Sequence, residues 1–249
     1  MLHDIARCDV IMFFKQEVKD MKKVGIIGGL SPESTIKYYQ WLNEGVEKKL
    51  GEHHSAKGVI ASVDFGEFVA LKKRGDWDTQ GELLAAEAVA LEKAGCDFII
   101  LATNTMHKMA DQIEAAINIP FLHLADATAD RIVEQGLSTI GLLGTRYTME
   151  LEFYKQRLED KGIEVLVPDE AGRTIINDII YDELCHGTVI SESRDAYRGV
   201  IADLYERHAQ GIIMGCTEIT MLIDQTDSKI PLFDTTKIHV EQALKFMFS

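Results

Sequence analysis

The chain has 249 residues, 46% of them hydrophobic, enough for one large globular domain or two modest ones with real cores. Its 40 acidic against 26 basic residues give a net charge of −14, which argues against a nucleic-acid partner and against an anionic membrane surface, since both need basic patches. No apolar run approaches the roughly 20 residues of a bilayer span, and Val10-Ile11-Met12-Phe13-Phe14 is too short, and too soon followed by Glu17 and Lys19, for a secretory signal.

Residues 1–20 read as an N-terminal extension. Val24-Gly25-Ile26-Ile27 is a strand ended by Gly28-Gly29, after which Ser31, Pro32 and Glu33 read as N-cap, first helical residue and first-turn acid. A helix is predicted over 32–49, with Ile36, Tyr39, Leu42 and Val46 at helical spacing. A strand over 57–63, a polar connection with a short helix over 64–77, and a helix over 78–94 stopped by Gly95 come next. Phe98-Ile99-Ile100-Leu101-Ala102 is a strand that delivers Thr103-Asn104-Thr105-Met106-His107. A helix over 108–116, a strand beginning Pro120-Phe121-Leu122 and a helix over 126–135 precede a strand over 139–144, which gives way through Thr145 and Thr148 to another helix. The remainder reads as a strand over 164–167, helices over 169–185 and 191–210, strands over 212–214 and 232–234, and a closing helix over 238–248.

Two patterns return at nearly one offset. Thr103 falls on Cys216, 113 residues later, and Val24 falls on Ile140, 116 residues later, as expected of a duplicated unit. Strands alternating with helices of ten or more residues predict an α/β fold with parallel sheets in two halves.

In open α/β folds ligands bind beyond the carboxyl ends of strands, where backbone N–H groups and helix N-termini favour anions. Gly28-Gly29, Thr103-Asn104-Thr105, Thr145 to Thr148 and Cys216-Thr217 all stand at such ends, which predicts a small acidic molecule held near Thr103 and Cys216. Taken singly, each is also an ordinary turn or cap sequence. Gly25, Gly28 and Gly29 lack the GxGxxG spacing, so no nucleotide cofactor is expected, and His53-His54 without HExxH makes no metal site. Cys8, Cys96, Cys185 and Cys216 show no CxxC spacing, which predicts free thiols in a reducing cytoplasm and no disulfide. Cys96 reads as buried and inert. Cys216, at the start of a helix, is expected to have a lowered pKa and to serve as thiolate base or nucleophile.

Gly-Ile-Ile-Gly-Gly-Leu-Ser-Pro-Glu-Ser-Thr at 25–35, Asn104-Thr105-Met106-His107 and Gly215-Cys216-Thr217-Glu218 together resemble the aspartate/glutamate racemase family, the cofactor-independent amino-acid racemases. The resemblance spans residues 21–249. It implies two Rossmann-like parallel-sheet domains related by a pseudo-twofold axis, one of 21–120 with 234–249 and one of 121–233, with the active site in the cleft between them. It also implies a homodimer, an acidic amino acid as the small-molecule partner, and no pyridoxal phosphate or other cofactor. Inverting Cα needs one group to remove a proton from one face while another donates on the opposite face. Where most members have a cysteine in each half, this chain has Thr103 and Cys216, a pairing the resemblance associates with racemases that favour L-aspartate and L-glutamate. Cys216 is expected to abstract the proton, with Thr103 serving the other face through His107 or water, although His107 reads equally well as a capping histidine with a backbone partner. Asn104, Thr105, Thr145, Thr148 and Thr217 are expected to bind substrate, and Glu218 to tune Cys216. Lys57, Arg74, Arg146 and Arg173 are candidates for the side-chain carboxylate. Alternatives in the same superfamily are a single-cysteine decarboxylase or isomerase, or a dicarboxylate-binding protein.

Overall fold

The computed structural model describes residues 21–249, so the expectation for 1–20 lies outside the described residues. Strand β1 (Val24–Gly28) is buried along its whole length, as its uninterrupted apolar run requires. It runs parallel to β2 (Gly58–Ser62) on one side and β3 (Phe98–Leu101) on the other, in the order β2-β1-β3. Helix α1 (Pro32–Leu50) starts where Ser31, in extended backbone, accepts the Ser34 N–H with its hydroxyl. It buries Tyr38, Leu42 and Val46, which pack with Ile26, Phe98 and Ile100 and with Val240, Ala243 and Met247 of the C-terminal helix. The polar connection folds into α2 (Phe65–Arg74), capped by Asp64, and α3 (Trp77–Lys93) is capped by Asp76. The strand expected from Pro120 is reduced to one parallel bridge between Phe121 and Ile99. Pro120 has no N–H to extend the ladder, and His123 already caps the next helix.

Helices α4 (Ala110–Ala116) and α5 (Leu124–Glu134) lead into a second parallel sheet of β4 (Thr139–Gly144), β5 (Glu164–Leu166), β6 (Ile212–Gly215) and β7 (Leu232–Asp234), ordered β5-β4-β6-β7. The first strand of each sheet is flanked by the second and third in the same way. The Phe121 bridge sits beside β3 as β7 sits beside β6, so the echo in sequence is an echo in topology. Among the described residues no helix is long and apolar enough to cross a membrane.

Several helices differ from their predicted spans. The one after β4 splits at Leu151, whose backbone is extended, into α6 (Arg146–Glu150) and α7 (Glu152–Glu159). The predicted helix over 169–185 becomes α8 (Glu170–Asp178), a π turn (Ile179–Glu183) and a 3-10 turn (Leu184–His186), which together leave Ile179, Ile180 and Leu184 buried. Helix α9 (Ser191–Glu206) stops short of residue 210, with His208 in the left-handed region at φ 72°. Helix α10 (Ile219–Leu222) is a single turn. Helix α11 (Thr235–Met247) begins three residues before the predicted start, because the Asp234 carboxylate accepts the N–H groups of Thr236 and Lys237.

The described residues form two compact units, one of 21–102, 112–122 and 240–249, the other of 103–111 and 123–239. These units are drawn differently from the expected division into 21–120 with 234–249 and 121–233. Residues 103–111 join the second unit because their polar groups bond there, Asn104 to Thr235, Thr105 to Thr145 and the His107 ring to the Leu124 N–H. The return to the first unit comes at Val240, since Thr235, Thr236 and His239 at the start of α11 still belong to the second.

Candidate active site

Thr103, Asn104, Thr105, Thr145, Thr148, Cys216 and Thr217 all lie in the second unit. Asn104 is 5% exposed and donates through Nδ2 to Thr235 Oγ1 at 3.2 Å. Thr235 in turn donates to the carbonyl of Met214, two residues before Cys216, at 3.0 Å. Since the one hydroxyl proton of Thr235 goes to that carbonyl, its oxygen must accept from Asn104. The amide orientation is thereby set, and Asn104 Oδ1 is left buried without a partner. A buried acceptor in that state calls for a donor.

The threonine hydroxyls are linked in two groups. Thr105 Oγ1 is 3.3 Å from Thr145 Oγ1, which is 3.4 Å from Thr148 Oγ1, and Thr217 Oγ1 is 3.4 Å from Thr236 Oγ1. Three hydroxyls joined by two links leave one proton over, so the Thr105-Thr145-Thr148 chain has a donor to spare for an anion.

Cys216 is part-buried and donates from Sγ to Glu218 Oε2 at 2.9 Å. Burial, and then the charge of Glu218, push its pKa well above the ordinary thiol value. The expectation of a thiol acidified by a helix N-terminus is therefore overturned. Helix α10 begins only at Ile219 and has four residues, too few to build a useful dipole, while the neighbouring carboxylate acts in the opposite sense. The resting group is a thiol with its acceptor already in place. The Tyr181 hydroxyl is also pushed up, by burial and then by Cys216 and Tyr147.

Thr103 is part-buried, and its carbonyl oxygen lies 2.7 Å from His107 Nδ1. The other ring nitrogen of His107 accepts the Leu124 N–H at 3.2 Å. An Nε2 that accepts leaves the proton on Nδ1, which donates to Thr103. The ring is 2% exposed, with the His123 ring centroid 4.5 Å away and that of His239 5.9 Å away. Burial, helped by His239, drives its pKa down to about 3. A proton relay through His107 does not fit this geometry, because both ring nitrogens are engaged with main chain.

Of the four cations considered, Arg146 and Arg173 are matched to acids. Arg146 donates to Glu150 at 2.7 Å and Glu170 at 2.8 Å, and Arg173 to Glu150 at 3.0 Å and Glu170 at 2.5 Å. Lys57 and Arg74 are exposed residues of the first unit. The sequence reading passed over Thr235, Thr236, His123 and His239. A signal for the first two existed, since Leu232-Phe233-Asp234 followed by two hydroxyl residues repeats the pattern of an apolar strand ending in small polar groups.

The pattern of the Asp/Glu/hydantoin racemase family matches residues 27–243. A solved structure from Yersinia pestis, described as a candidate Asp/Glu racemase, is 53% identical, with a TM-score of 0.89 over 92% of this chain and 100% of that one. An aspartate racemase homologue from Pyrococcus horikoshii OT3 is 34% identical, with a TM-score of 0.82 over the same shares. Among characterised relatives, the broad specificity amino-acid racemase RacX of Bacillus subtilis (strain 168) is 25% identical over 86% of this chain and 92% of its own length.

Proposed function

Because the chain belongs to the Asp/Glu/hydantoin racemase family, we propose that it is a cofactor-independent racemase of the acidic amino acids aspartate and glutamate, with Cys216 and Thr103 serving opposite faces of Cα. The observation that carries this reading is the orphaned Asn104 Oδ1, a buried acceptor suited to an α-ammonium group, one residue from Thr103 and linked through Thr235 to the strand that ends just before Cys216. The spare hydroxyl proton of the Thr105-Thr145-Thr148 chain, with Thr217, would bind carboxylate and the enolate charge that develops on it.

The resting thiol sets the order of events. Cys216 passes its proton to Glu218, and the thiolate takes the Cα proton of the L-enantiomer. The Thr103 hydroxyl gives a proton to the opposite face and recovers one from water, while Glu218 returns its proton to solvent. Two enantiomers are equal in free energy, so kcat/KM is the same in both directions. A thiolate forms far more readily than a threonine alkoxide, so preference for L shows in kcat and KM separately.

A second reading is favoured by one observation, that Glu150 and Glu170 already balance Arg146 and Arg173. It makes the substrate an amino acid with a neutral side chain. Incubating L-aspartate, L-glutamate, L-alanine and L-methionine with the protein in D2O separates the two. Deuterium at Cα and inverted product confined to the acidic pair support the first reading, label confined to the neutral pair supports the second, and no label from any of them contradicts both. The proposal includes a homodimer of the 27.9 kDa chain, working in the reducing cytoplasm that suits the free thiols of Cys96, Cys185 and Cys216.

A further inference from the structure

We infer that His107 is a positioning residue for the racemisation proposed above, clamping the main chain at Thr103 to the start of α5 and taking no part in proton transfer. The inference rests on that reading for the role of Thr103 and adds how the hydroxyl is aimed. One imidazole makes two main-chain bonds of opposite sense, Nδ1–H to the Thr103 carbonyl at 2.7 Å and Nε2 from the Leu124 N–H at 3.2 Å. Leu124 is the first residue of α5, so its N–H has no acceptor within the helix and the ring supplies one. The Thr103 turn is thus tied to a rigid element through a side chain that is itself 2% exposed and flanked by the rings of His123 and His239.

The same geometry forbids a relay. Protonating Nε2 would set an N–H against the Leu124 N–H, and removing the Nδ1 proton would set a lone pair against the Thr103 oxygen. The His239 imidazole and the paired Arg157 guanidinium further oppose a positive charge on the ring. A fixed carbonyl at Thr103 sets the backbone from which its hydroxyl projects, and a misplacement of about 1 Å is worth on the order of 100-fold in rate.

Two conservative variants separate the bonds. His107→Asn places an amide N–H near the position of Nδ1 and leaves Leu124 without its acceptor. His107→Gln places an amide oxygen near Nε2 and leaves the Thr103 carbonyl without its donor. The clamp predicts similar falls in Tm for both. It also predicts that only His107→Gln loses kcat, by about 10-fold or more with KM little changed, and that the loss falls on the Thr103 face. Exchange of the L-enantiomer's Cα proton at the Cys216 face should persist. Equal loss of kcat in both variants, in step with Tm, would overturn the proposal, as would the disappearance of a limb from the pH profile of kcat. A measurement on the unmodified protein stands independent of how the variants fold. Side-chain 15N NMR should show His107 protonated at Nδ1 and bare at Nε2 from pH 5 to pH 9, and titration in that range or the opposite tautomer would overturn the assignment. A wild type inactive on every amino acid would contradict the racemase reading instead, and the tautomer measurement tells that failure from failure of the clamp.

Discussion

At the scale of single residues, two groups have their ionisation displaced by burial, Cys216 upward and His107 downward. Cys216 is held as a thiol by burial and by the carboxylate it donates to. Removing that charge in Glu218→Gln should lower the Cys216 pKa and speed its alkylation by iodoacetamide at pH 7.5, read site by site by mass spectrometry because Cys185 is exposed. The same variant should lose turnover, since the proton acceptor is gone; slower alkylation would show that Glu218 does not hold the proton on. His107 has a pKa of about 3 against an ordinary 6.5, so between those values the unfolded chain binds a proton that the folded one refuses. Its contribution is fully present above pH 6.5 and is lost as pH falls toward 3, on the order of 5 kcal/mol in all. His123, also depressed by burial, acts in the same sense. Urea unfolding between pH 7 and pH 4 should show stability falling with acid, and His107→Asn should flatten that slope.

At the scale of elements, what positions the site is the close approach of strands where glycine leaves room. A Cβ on Gly215 would lie 2.7 Å from the Leu143 carbonyl oxygen on the neighbouring strand, a backbone atom that cannot step aside. Gly215→Ala should therefore push β6 from β4, cost about 1–3 kcal/mol and lower kcat through its neighbour Cys216. At Gly29, with φ +86° and a would-be Cβ 2.3 Å from the Val63 oxygen, the alanine variant should be the more damaging of the two in a thermal melt. Strand ends were the most legible features of the sequence. Uninterrupted apolar runs broken by Thr, Asn or Cys left little freedom about where β3, β4 and β6 stop. Helix interiors were less so, because the break at Leu151 and the π turn after Asp178 follow from packing partners that no local pattern names. His107 could be picked out by its spacing from Thr103, yet its role depends on which carbonyl and which N–H meet the ring.

At the scale of the whole molecule, the chain crosses between its two units four times, and the first crossing carries Thr103 into the unit that holds Cys216. Periodicity alone could not say which sheet the closing helix covers; the resemblance to a known family supplied that, and the crossing at Val240 refines it. Since Val240, Ala243 and Met247 are 2%, 0% and 0% exposed in the core of the first unit, Met247→Ala should cost about 2–5 kcal/mol in denaturant unfolding. A surface contact there would cost almost nothing, and that outcome would refute the packing described. The placement of Thr103 with Cys216 in one compact unit is what the sequence did not reveal, since the hydrogen bonds that draw residues 103–111 across are made by side chains to distant partners. The central claim is that these two residues work opposite faces of one carbon. It is tested most directly by following the Cα proton of L-aspartate and D-aspartate separately in D2O with Thr103→Ala and Cys216→Ala. The account predicts that Thr103→Ala still exchanges the proton of the L-enantiomer but forms no D-product, and that Cys216→Ala exchanges neither the L-enantiomer nor inverts it. Inversion that survives in Thr103→Ala, or exchange of the L-enantiomer that survives in Cys216→Ala, would contradict it.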